Sequence, residues 1–350
     1  MKKVFYCIWF VIFFFCLFVV VCGKFKDIGR QFIHLNETDE FTYGDLYKMC
    51  LVDLYRERID KRPIGKQSSN LDDFDVIAFG DSFFRSNLGS ESFAQELAKK
   101  SGLKVYYLDS DEYFQNDTNP LLFLKSKNYK KGSRKILIYQ SVERYSLDGA
   151  KKLVSDQISA DYSGRWTEKV FDNDDLDYFF KDNRVIYPVV KWVANVKFHL
   201  LGEIDARIAN YSVKPKMLFY KPGVEFNYRK KEPADFVMLA ENLAYLRKTL
   251  HEEYNIELIY VVIPNKFTIY SEYADKEYRY DNYLSEVAGI MSREHVPFIN
   301  VYSMYKDYRQ RDDSQRLYYM NDSHYTPFGK AMIVEAVYQL IRELQQIKKG

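Results

Sequence analysis

The sequence predicts an α/β fold in which a parallel sheet is flanked by helices. Two observations carry this prediction. Short apolar runs of five to seven residues, rich in β-branched and aromatic side chains, recur along the chain. Segments with helical periodicity alternate with these runs. Such alternation is typical of parallel strands that are joined by crossover helices, and 350 residues are enough to bury a large core.

The predicted elements follow one another in a regular order that is interrupted once. The strands are predicted at residues 74–79, 104–108, 135–139, 257–263 and 296–301, and the helices at residues 92–100, 234–254, 281–293 and 328–346. Between residues 146 and 231 the chain mixes acidic and aromatic residues without a strong strand. Because so long a stretch is rarely structureless inside a compact domain, we predict a mostly helical insertion at about residues 146–231.

The N-terminus has the pattern of a membrane anchor. Lys2 and Lys3 precede an uncharged apolar run at residues 4–22, which is long enough to cross a bilayer as a helix. We predict a transmembrane signal-anchor at residues 1–23, a stalk and leading helix at 24–70, and the main domain at 71–350, outside the cytoplasmic membrane (periplasmic or extracellular). A cleaved signal peptide and a lipoprotein with Cys22 as its lipidated residue are the alternatives.

The composition excludes several classes of site. Lys and Arg number 51 against 49 Asp and Glu, so the formal charge of +2 does not indicate nucleic acid as a partner. Three of the four cysteines lie in or at the edge of the apolar run, and only Cys50 remains. The sequence therefore predicts no disulfide framework and no metal cluster of cysteines. It also lacks the Walker A, G-x-G-x-x-G and H-E-x-x-H motifs, so we predict no metal site and no cofactor. The 31 Tyr and 26 Phe can fill a core or stack on sugars.

A short turn motif follows the first predicted strand. Gly80, Asp81 and Ser82 stand at its carboxyl end, which is the edge where parallel sheets bind ligands. Glycine permits a sharp turn there, and the serine can present its hydroxyl while its own N–H faces a developing oxyanion. Ser82 is the candidate nucleophile. An ordinary turn is the alternative, because all three residue types are common in turns.

A second motif near the C-terminus supplies a base for this serine. Asp322 and His324 stand two residues apart, directly before the last predicted helix. In extended backbone they point to the same side, so the carboxylate can bond the imidazole Nδ1–H and present Nε2. Thr326 and Pro327 fit the N-cap and first position of that helix. Since a serine hydroxyl needs a base and an orienting group, the motifs together predict a Ser82–His324–Asp322 triad.

These two motifs resemble the SGNH hydrolase superfamily. Residues 136–146 and 261–272, and the segment HYTPFGKAM that begins at His324, further resemble its O-acetyltransferase branch, the alginate O-acetylation proteins. Tyr325 stands where that branch usually has tryptophan. The resemblance covers about residues 74–337 apart from the insertion. Two features depart from it: no Gly-x-Asn-Asp block follows the third strand, and here the serine precedes the Asp-His element, unlike in the alginate proteins.

Other polar residues are candidates to replace the missing oxyanion donors. The third strand brings Gln140, Ser141, Glu143 and Arg144 to the edge that carries Ser82. A guanidinium or an amide can stabilise an oxyanion, so Arg144 is predicted either to bond the carbonyl oxygen or to support the serine loop. An ordinary ion pair between Glu143 and Arg144 is the alternative.

Three further residues are predicted to contact substrate. Asn265 and Lys266 follow the fourth strand and reach the same edge, and Tyr325 neighbours the candidate base. The resemblance implies transfer of an acyl group, with a carbohydrate polymer as acceptor and a multi-pass membrane O-acyltransferase as the partner that supplies acetyl. A carbohydrate esterase with the same triad and a non-catalytic glycan-binding assembly protein remain as alternatives.

Overall fold

The computed structural model describes residues 2–24, 40–65, 67–108, 118–155, 186–274 and 280–346. Its strands are β1 (Phe41–Tyr43), β2 (Arg58–Asp60), β3 (Val76–Phe79), β4 (Val105–Tyr107), β5 (Lys135–Val142), β6 (Ile208–Val213), β7 (Lys216–Tyr220), β8 (Ile256–Ile263) and β9 (Phe298–Ile299). Its helices are α1 (Lys2–Lys24), α2 (Asp45–Cys50), α3 (Ser82–Arg85), α4 (Phe93–Ser101), α5 (Pro120–Ser126), α6 (Ser146–Lys152), α7 (Tyr187–Leu201), α8 (Lys221–Tyr228), α9 (Pro233–Tyr254), α10 (Lys266–Tyr270), α11 (Tyr283–Arg293), α12 (Val301–Arg311) and α13 (Pro327–Gln346).

Five parallel strands form the central sheet, in the order β4-β3-β5-β8-β9. Their side chains alternate between two cores. Ile77 and Phe79 of β3 pack in the core that α5, α9 and α11 cover, whereas Val76 and Ala78 pack in the core of α4, α12 and α13. Burial on both faces explains why these strands are largely apolar. The predicted parallel sheet flanked by helices is confirmed.

The strand order reverses between β3 and β5. From β3 the chain passes outward to β4 and then returns to β5 on the other side of β3. In open α/β sheets such a reversal leaves a crevice at the carboxyl ends of the two strands, and ligands bind there. The order of the strands therefore places a crevice beside the residues that directly follow Phe79 and Val142.

The predicted insertion contains a β-hairpin as well as helices. Strands β6 and β7 pair antiparallel, while α6, α7 and α8 supply its helices. The prediction of a mostly helical insertion did not include this hairpin, because the apolar side chains of β7 become buried only against distant parts of the chain. Leu218, for example, packs with Leu46 and Tyr55. Residues 156–185 of the insertion lie outside the described residues.

The segment that leads into the sheet packs against the domain. Strand β1 pairs with β2, and α2 lies between them in the chain. Leu46 and Cys50 of α2 are buried in a small core together with Phe198 and Ile208. Residues 25–39 of the predicted stalk lie outside the described residues, and the predicted limits of the domains stay predictions.

The residues predicted as a transmembrane anchor form helix α1. Among the helices in the described part of the chain, none has the combination of length and apolar character that crossing a membrane requires. The structure thus does not support the transmembrane helix predicted at residues 1–23.

Candidate active site

The turn that carries Ser82 is held by the neighbouring strand. Gly80 follows β3, and a Cβ added there would overlap Gln140 Oε1, so a larger residue would displace this buried side chain. That oxygen accepts a hydrogen bond from the Asp81 N–H at 2.9 Å. The Asp81 carboxylate in turn caps α3 by accepting from the Phe83 N–H at 2.9 Å. Ser82 is therefore the first residue of α3, and it is exposed at the crevice.

The three predicted triad residues meet at this crevice. His324 Nε2 lies 2.9 Å from Ser82 Oγ, and His324 Nδ1 lies 2.6 Å from Asp322 Oδ1. The backbone N–H of His324 also donates to Asp322 Oδ1, at 2.8 Å. An imidazole that is hydrogen-bonded at Nδ1 in this way presents Nε2 to the hydroxyl as a proton acceptor.

Contacts on both sides of the Asp-x-His loop keep the imidazole in place. The Tyr319 N–H donates to the His324 carbonyl at 3.2 Å, and the Phe83 ring packs against the imidazole with 4.7 Å between centroids. Tyr325 is buried, and its hydroxyl donates to the carbonyl of Phe83. Tyr325 thus connects the loop that carries the base to the serine turn. Because it is buried, it does not have the predicted role of contacting substrate.

Charges around the imidazole favour its protonated form. Burial by itself lowers the pKa of His324, but Asp322 and then Asp45 raise it, and the net pKa lies above the ordinary value. Burial raises the pKa of Asp322, but the charge and the hydrogen bonds of His324, together with the bond from the Asp45 N–H, lower it to about 2. Asp322 is therefore a carboxylate at neutral pH, able to stabilise an imidazolium during the reaction.

Asp45 is a member of the site that the sequence interpretation missed. Its backbone N–H donates to Asp322 Oδ2 at 2.9 Å, and its carboxylate accepts from the Ser323 N–H at 2.7 Å and from the Ser323 hydroxyl. No local pattern connects positions 45 and 322, which are separated by 277 residues. The ligand atoms of Asp45, Asp322 and His324 lie within 4.8 Å of one another, but hydrogen bonds account for this cluster without a metal.

The crevice opens into a cavity of about 640 Å³ next to Ser82. Arg144 and Ser141 line it, together with Tyr145 and Tyr220. The Arg144 guanidinium lies between the two tyrosine rings, 4.8 Å and 5.4 Å from their centroids. Its Nε is buried and has no hydrogen-bond partner among the described residues. Tyr220 was also missed from the sequence, because it lies in the hairpin of the insertion.

Gln140 and Glu143 support the site from behind the cavity. Gln140 is fully buried and does not line the cavity, so it holds the Asp81 turn rather than an oxyanion. Burial raises the pKa of Glu143 to about 7. The Glu143 carboxylate accepts from the Asn265 N–H at 2.7 Å and from the Thr268 hydroxyl at 2.6 Å. Glu143 thereby joins the carboxyl ends of β5 and β8.

Asn265 and Lys266 are engaged inside the protein rather than at the cavity beside Ser82. They are only 2% and 6% exposed, which leaves little surface for a substrate. Lys266 Nζ donates to the carbonyls of Met320 at 2.8 Å and Asp322 at 3.2 Å, and its burial lowers its pKa to about 7. In place of the predicted substrate contact, Lys266 holds the backbone of the loop that carries the base.

Residues 214–350 match a family model described as the SGNH hydrolase-like domain of acetyltransferase AlgX. The predicted resemblance is confirmed. The SGNH hydrolase-like match includes Asp322 and His324, whereas Ser82, Arg144 and Asp45 precede it in the chain. No curated protein and no solved structure is significantly similar to this chain.

Proposed function

We propose that the chain is an O-acetyltransferase that acts on a cell-surface polysaccharide through Ser82, His324 and Asp322. The observation that carries the proposal is the continuous hydrogen-bonded line from Ser82 Oγ through the imidazole to Asp322, with distances of 2.9 Å and 2.6 Å. The match to an SGNH hydrolase-like acetyltransferase domain supports the acyl-ester chemistry.

The first half of the reaction loads the serine. Ser82 Oγ attacks the carbonyl carbon of the acetyl donor while His324 Nε2 accepts the hydroxyl proton. Negative charge develops on the carbonyl oxygen, and the Ser82 N–H and the Arg144 guanidinium are the donors that stabilise it. The imidazolium then returns the proton to the leaving oxygen of the donor, and the acetyl group remains on Ser82 as an ester.

The second half transfers the acetyl group to a carbohydrate. A sugar hydroxyl enters the cavity and gives its proton to His324 Nε2 as its oxygen attacks the acetyl carbon. The imidazolium next protonates Ser82 Oγ as the serine ester breaks, so the product is an O-acetyl sugar and the enzyme regains its initial state. Tyr145 and Tyr220 give the cavity aromatic faces on which a sugar ring can stack.

The proposal includes a location and a donor. The proposed location is outside the cytoplasmic membrane, where a cell-surface polysaccharide is accessible, and basic residues before an apolar run, as in residues 1–23, are also the pattern of a secretory signal sequence. Acetyl-CoA is cytoplasmic, so an enzyme outside needs a relay. A multi-pass membrane O-acyltransferase is the proposed partner that delivers acetyl to Ser82, and a carbohydrate polymer is the proposed acceptor.

A carbohydrate esterase is the second candidate, and the exposure of Ser82 favours it. Water that reaches an acetylated serine can take the place of the sugar hydroxyl in the second half-reaction, with the same three residues. The esterase removes acetyl groups from the glycan and the transferase adds them, so the two candidates predict opposite changes in glycan acetylation when Ser82 is lost.

The chemistry is tested with a small activated ester. We expect the full chain, purified in detergent, to hydrolyse p-nitrophenyl acetate slowly, and Ser82→Ala and His324→Ala each to lower the rate by about 10³-fold or more. The double variant should be no worse than either single one, because the residues act as a unit. Ser68→Ala, which alters an exposed serine bonded to Asp73, serves as the control.

The direction of transfer is tested in cells. NMR of surface polysaccharides should show less O-acetyl in cells with Ser82→Ala than in cells with the wild type or Ser68→Ala. An increase would identify the esterase. Equal acetylation, together with equal ester hydrolysis by the wild type and Ser82→Ala, would overturn the proposed function.

A further inference from the structure

The base of the triad is held by a segment that precedes the sheet in the chain. Helix α2 and its flanking residues lie directly against the loop of residues 320–323. The N–H of Tyr47 donates to the Asn321 carbonyl at 3.0 Å, and Asn321 Nδ2 donates to the Glu57 carbonyl at 2.9 Å. A Cβ added to Gly44 would lie 2.1 Å from the Asn321 carbonyl oxygen, so this close approach requires glycine.

Asp45 forms the central contact of this interface. Its carboxylate Oδ1 accepts from the N–H groups of Leu46 and Ser323, both at 2.7 Å, and its Oδ2 accepts from the Ser323 hydroxyl. Three donors to one carboxylate offset part of the cost of burying it. Burial and then Asp322 raise the pKa of Asp45, whereas His324 and the bonds from Ser323 lower it.

Asp45 also donates the hydrogen bond that the second carboxylate oxygen of Asp322 accepts. Asp322 Oδ1 is occupied by the imidazole and by the His324 N–H, and Oδ2 accepts from the Asp45 N–H at 2.9 Å. With both oxygens bonded, the carboxylate cannot rotate away from the imidazole without losing a hydrogen bond. Ser323, the residue between the two members of the dyad, is meanwhile held by the Asp45 side chain.

We propose that Asp45 is a positioning residue of the catalytic base, which makes residues 40–60 a required part of the active site. Its effect on turnover rests on the proposed function, whereas its effect on the imidazole does not. The Asp45 side chain fixes Ser323, and its backbone fixes the Asp322 carboxylate, so that His324 Nδ1 stays bonded and Nε2 faces Ser82. The side chain acts through the loop and does not touch the reacting atoms.

The first test is kinetic, with p-nitrophenyl acetate and the full chain in detergent. We expect Asp45→Asn to lower kcat about 10-fold and Asp45→Ala about 10²-fold. Asp45 lines the cavity beside Ser82, but Arg144, Tyr145 and Tyr220 are unchanged in these variants, so KM should stay within about twofold of wild type. Ser323→Ala, which removes one of the three donors, should lower kcat about threefold. Asp60→Asn is the matched control. Asp60 lies on strand β2 of the same segment and forms an exposed ion pair with Arg58.

The second test reads the hydrogen bond itself and needs no activity. NMR of the chain labelled with ¹⁵N-histidine should show a low-field Nδ1 proton for His324 in the wild type, in Ser82→Ala and in Asp60→Asn. We expect Asp45→Ala to shift this signal upfield or broaden it while the other histidine signals stay in place.

An unchanged low-field signal in Asp45→Ala would overturn the proposal, as would a kcat within twofold of wild type. A change in every histidine signal would also overturn it, because Asp45 would then act on the fold as a whole. Failure of Ser82→Ala to alter ester hydrolysis would instead count against the proposed function alone, since the NMR result still decides the role of Asp45.

Discussion

The groups that we assign to catalysis on the two sides of Ser82 differ in how completely they are hydrogen-bonded. On the side of the base, both oxygens of Asp322 and both imidazole nitrogens of His324 have partners within the protein. On the opposite side, Arg144 Nε is buried and has no hydrogen-bond partner in the part of the chain that the structure describes, and Arg144 Nη1 donates a long bond, 3.4 Å, to Asn265 Oδ1. A buried unsatisfied donor costs about 1–3 kcal/mol.

This difference indicates whether the hydrogen bonds of each side form before or after the substrate binds. The base is organised before any substrate arrives, because its hydrogen bonds are internal to the protein. On the other side, Arg144 lines the cavity, and the one hydrogen bond that its guanidinium donates among the described residues is the long bond to Asn265, so a substrate atom can accept a bond from the accessible part of the guanidinium. Charge that develops only during the reaction is best stabilised by donors that are already in place and are not bonded elsewhere.

The largest loss of rate in this comparison is expected from a substitution on the side of the base. Asp322→Asn removes the charge that stabilises the imidazolium, and it favours the imidazole tautomer that carries its proton on Nε2 and cannot accept one there. We therefore expect the rate of ester hydrolysis to fall about 10²- to 10³-fold. The loss should stay below the 10⁴-fold known for the serine protease triad, since the loop is also held by Tyr325 and Lys266. The thermal midpoint should also fall, because the amide nitrogen of Asn cannot accept one of the hydrogen bonds that His324 and Asp45 donate to the buried carboxylate. The rates are therefore compared well below the midpoint of the variant. The exposed Asp312→Asn is the control, and a near-normal rate would remove Asp322 from the site.

A smaller effect is expected on the open side. Arg144→Met should lower kcat for p-nitrophenyl acetate about 10- to 10²-fold, because the Ser82 N–H remains as an oxyanion donor. Arg144→Lys should be intermediate, since it keeps the charge without the planar fork. Arg134→Lys, at the opposite end of the same strand, is the matched control. A rise in KM for a sugar acceptor with an unchanged rate on the small ester would instead assign Arg144 to binding the acceptor.

The smallest expected effect is a shift of the pH profile, which tests whether the base side is organised around His324 as described. The base must be neutral, and its folded-state pKa is raised, chiefly by Asp322 against the lowering effect of burial. The acid limb of kcat/KM should therefore lie above the ordinary histidine value of about 6.5, with activity lost as pH falls through it. In Asp322→Asn the limb should move to lower pH. A limb that stays in place in this variant would show that another group titrates.

The elements of the sheet could be predicted because their signals are local. The apolar runs in strands β3, β5 and β8 stop at Gly80, Gln140 and Pro264, and α9 and α13 have clear helical periodicity. Strand β7 gave no such signal. Its side chains are buried against α2, and this burial depends on contacts between parts of the chain that lie far apart in sequence.

The sequence by itself determined which residues could serve as nucleophile and base. The turn after β3 and the Asp-x-His element before α13 each bring their functional groups together over a few residues, so turn chemistry and spacing were sufficient. Only the tertiary structure decided which polar neighbours contact the cavity. It turned Arg144 toward the cavity, buried Lys266 beneath the loop, and brought Asp45 to a carboxylate 277 residues away. Spacing along the chain cannot specify such contacts, because they arise when separately formed elements pack together.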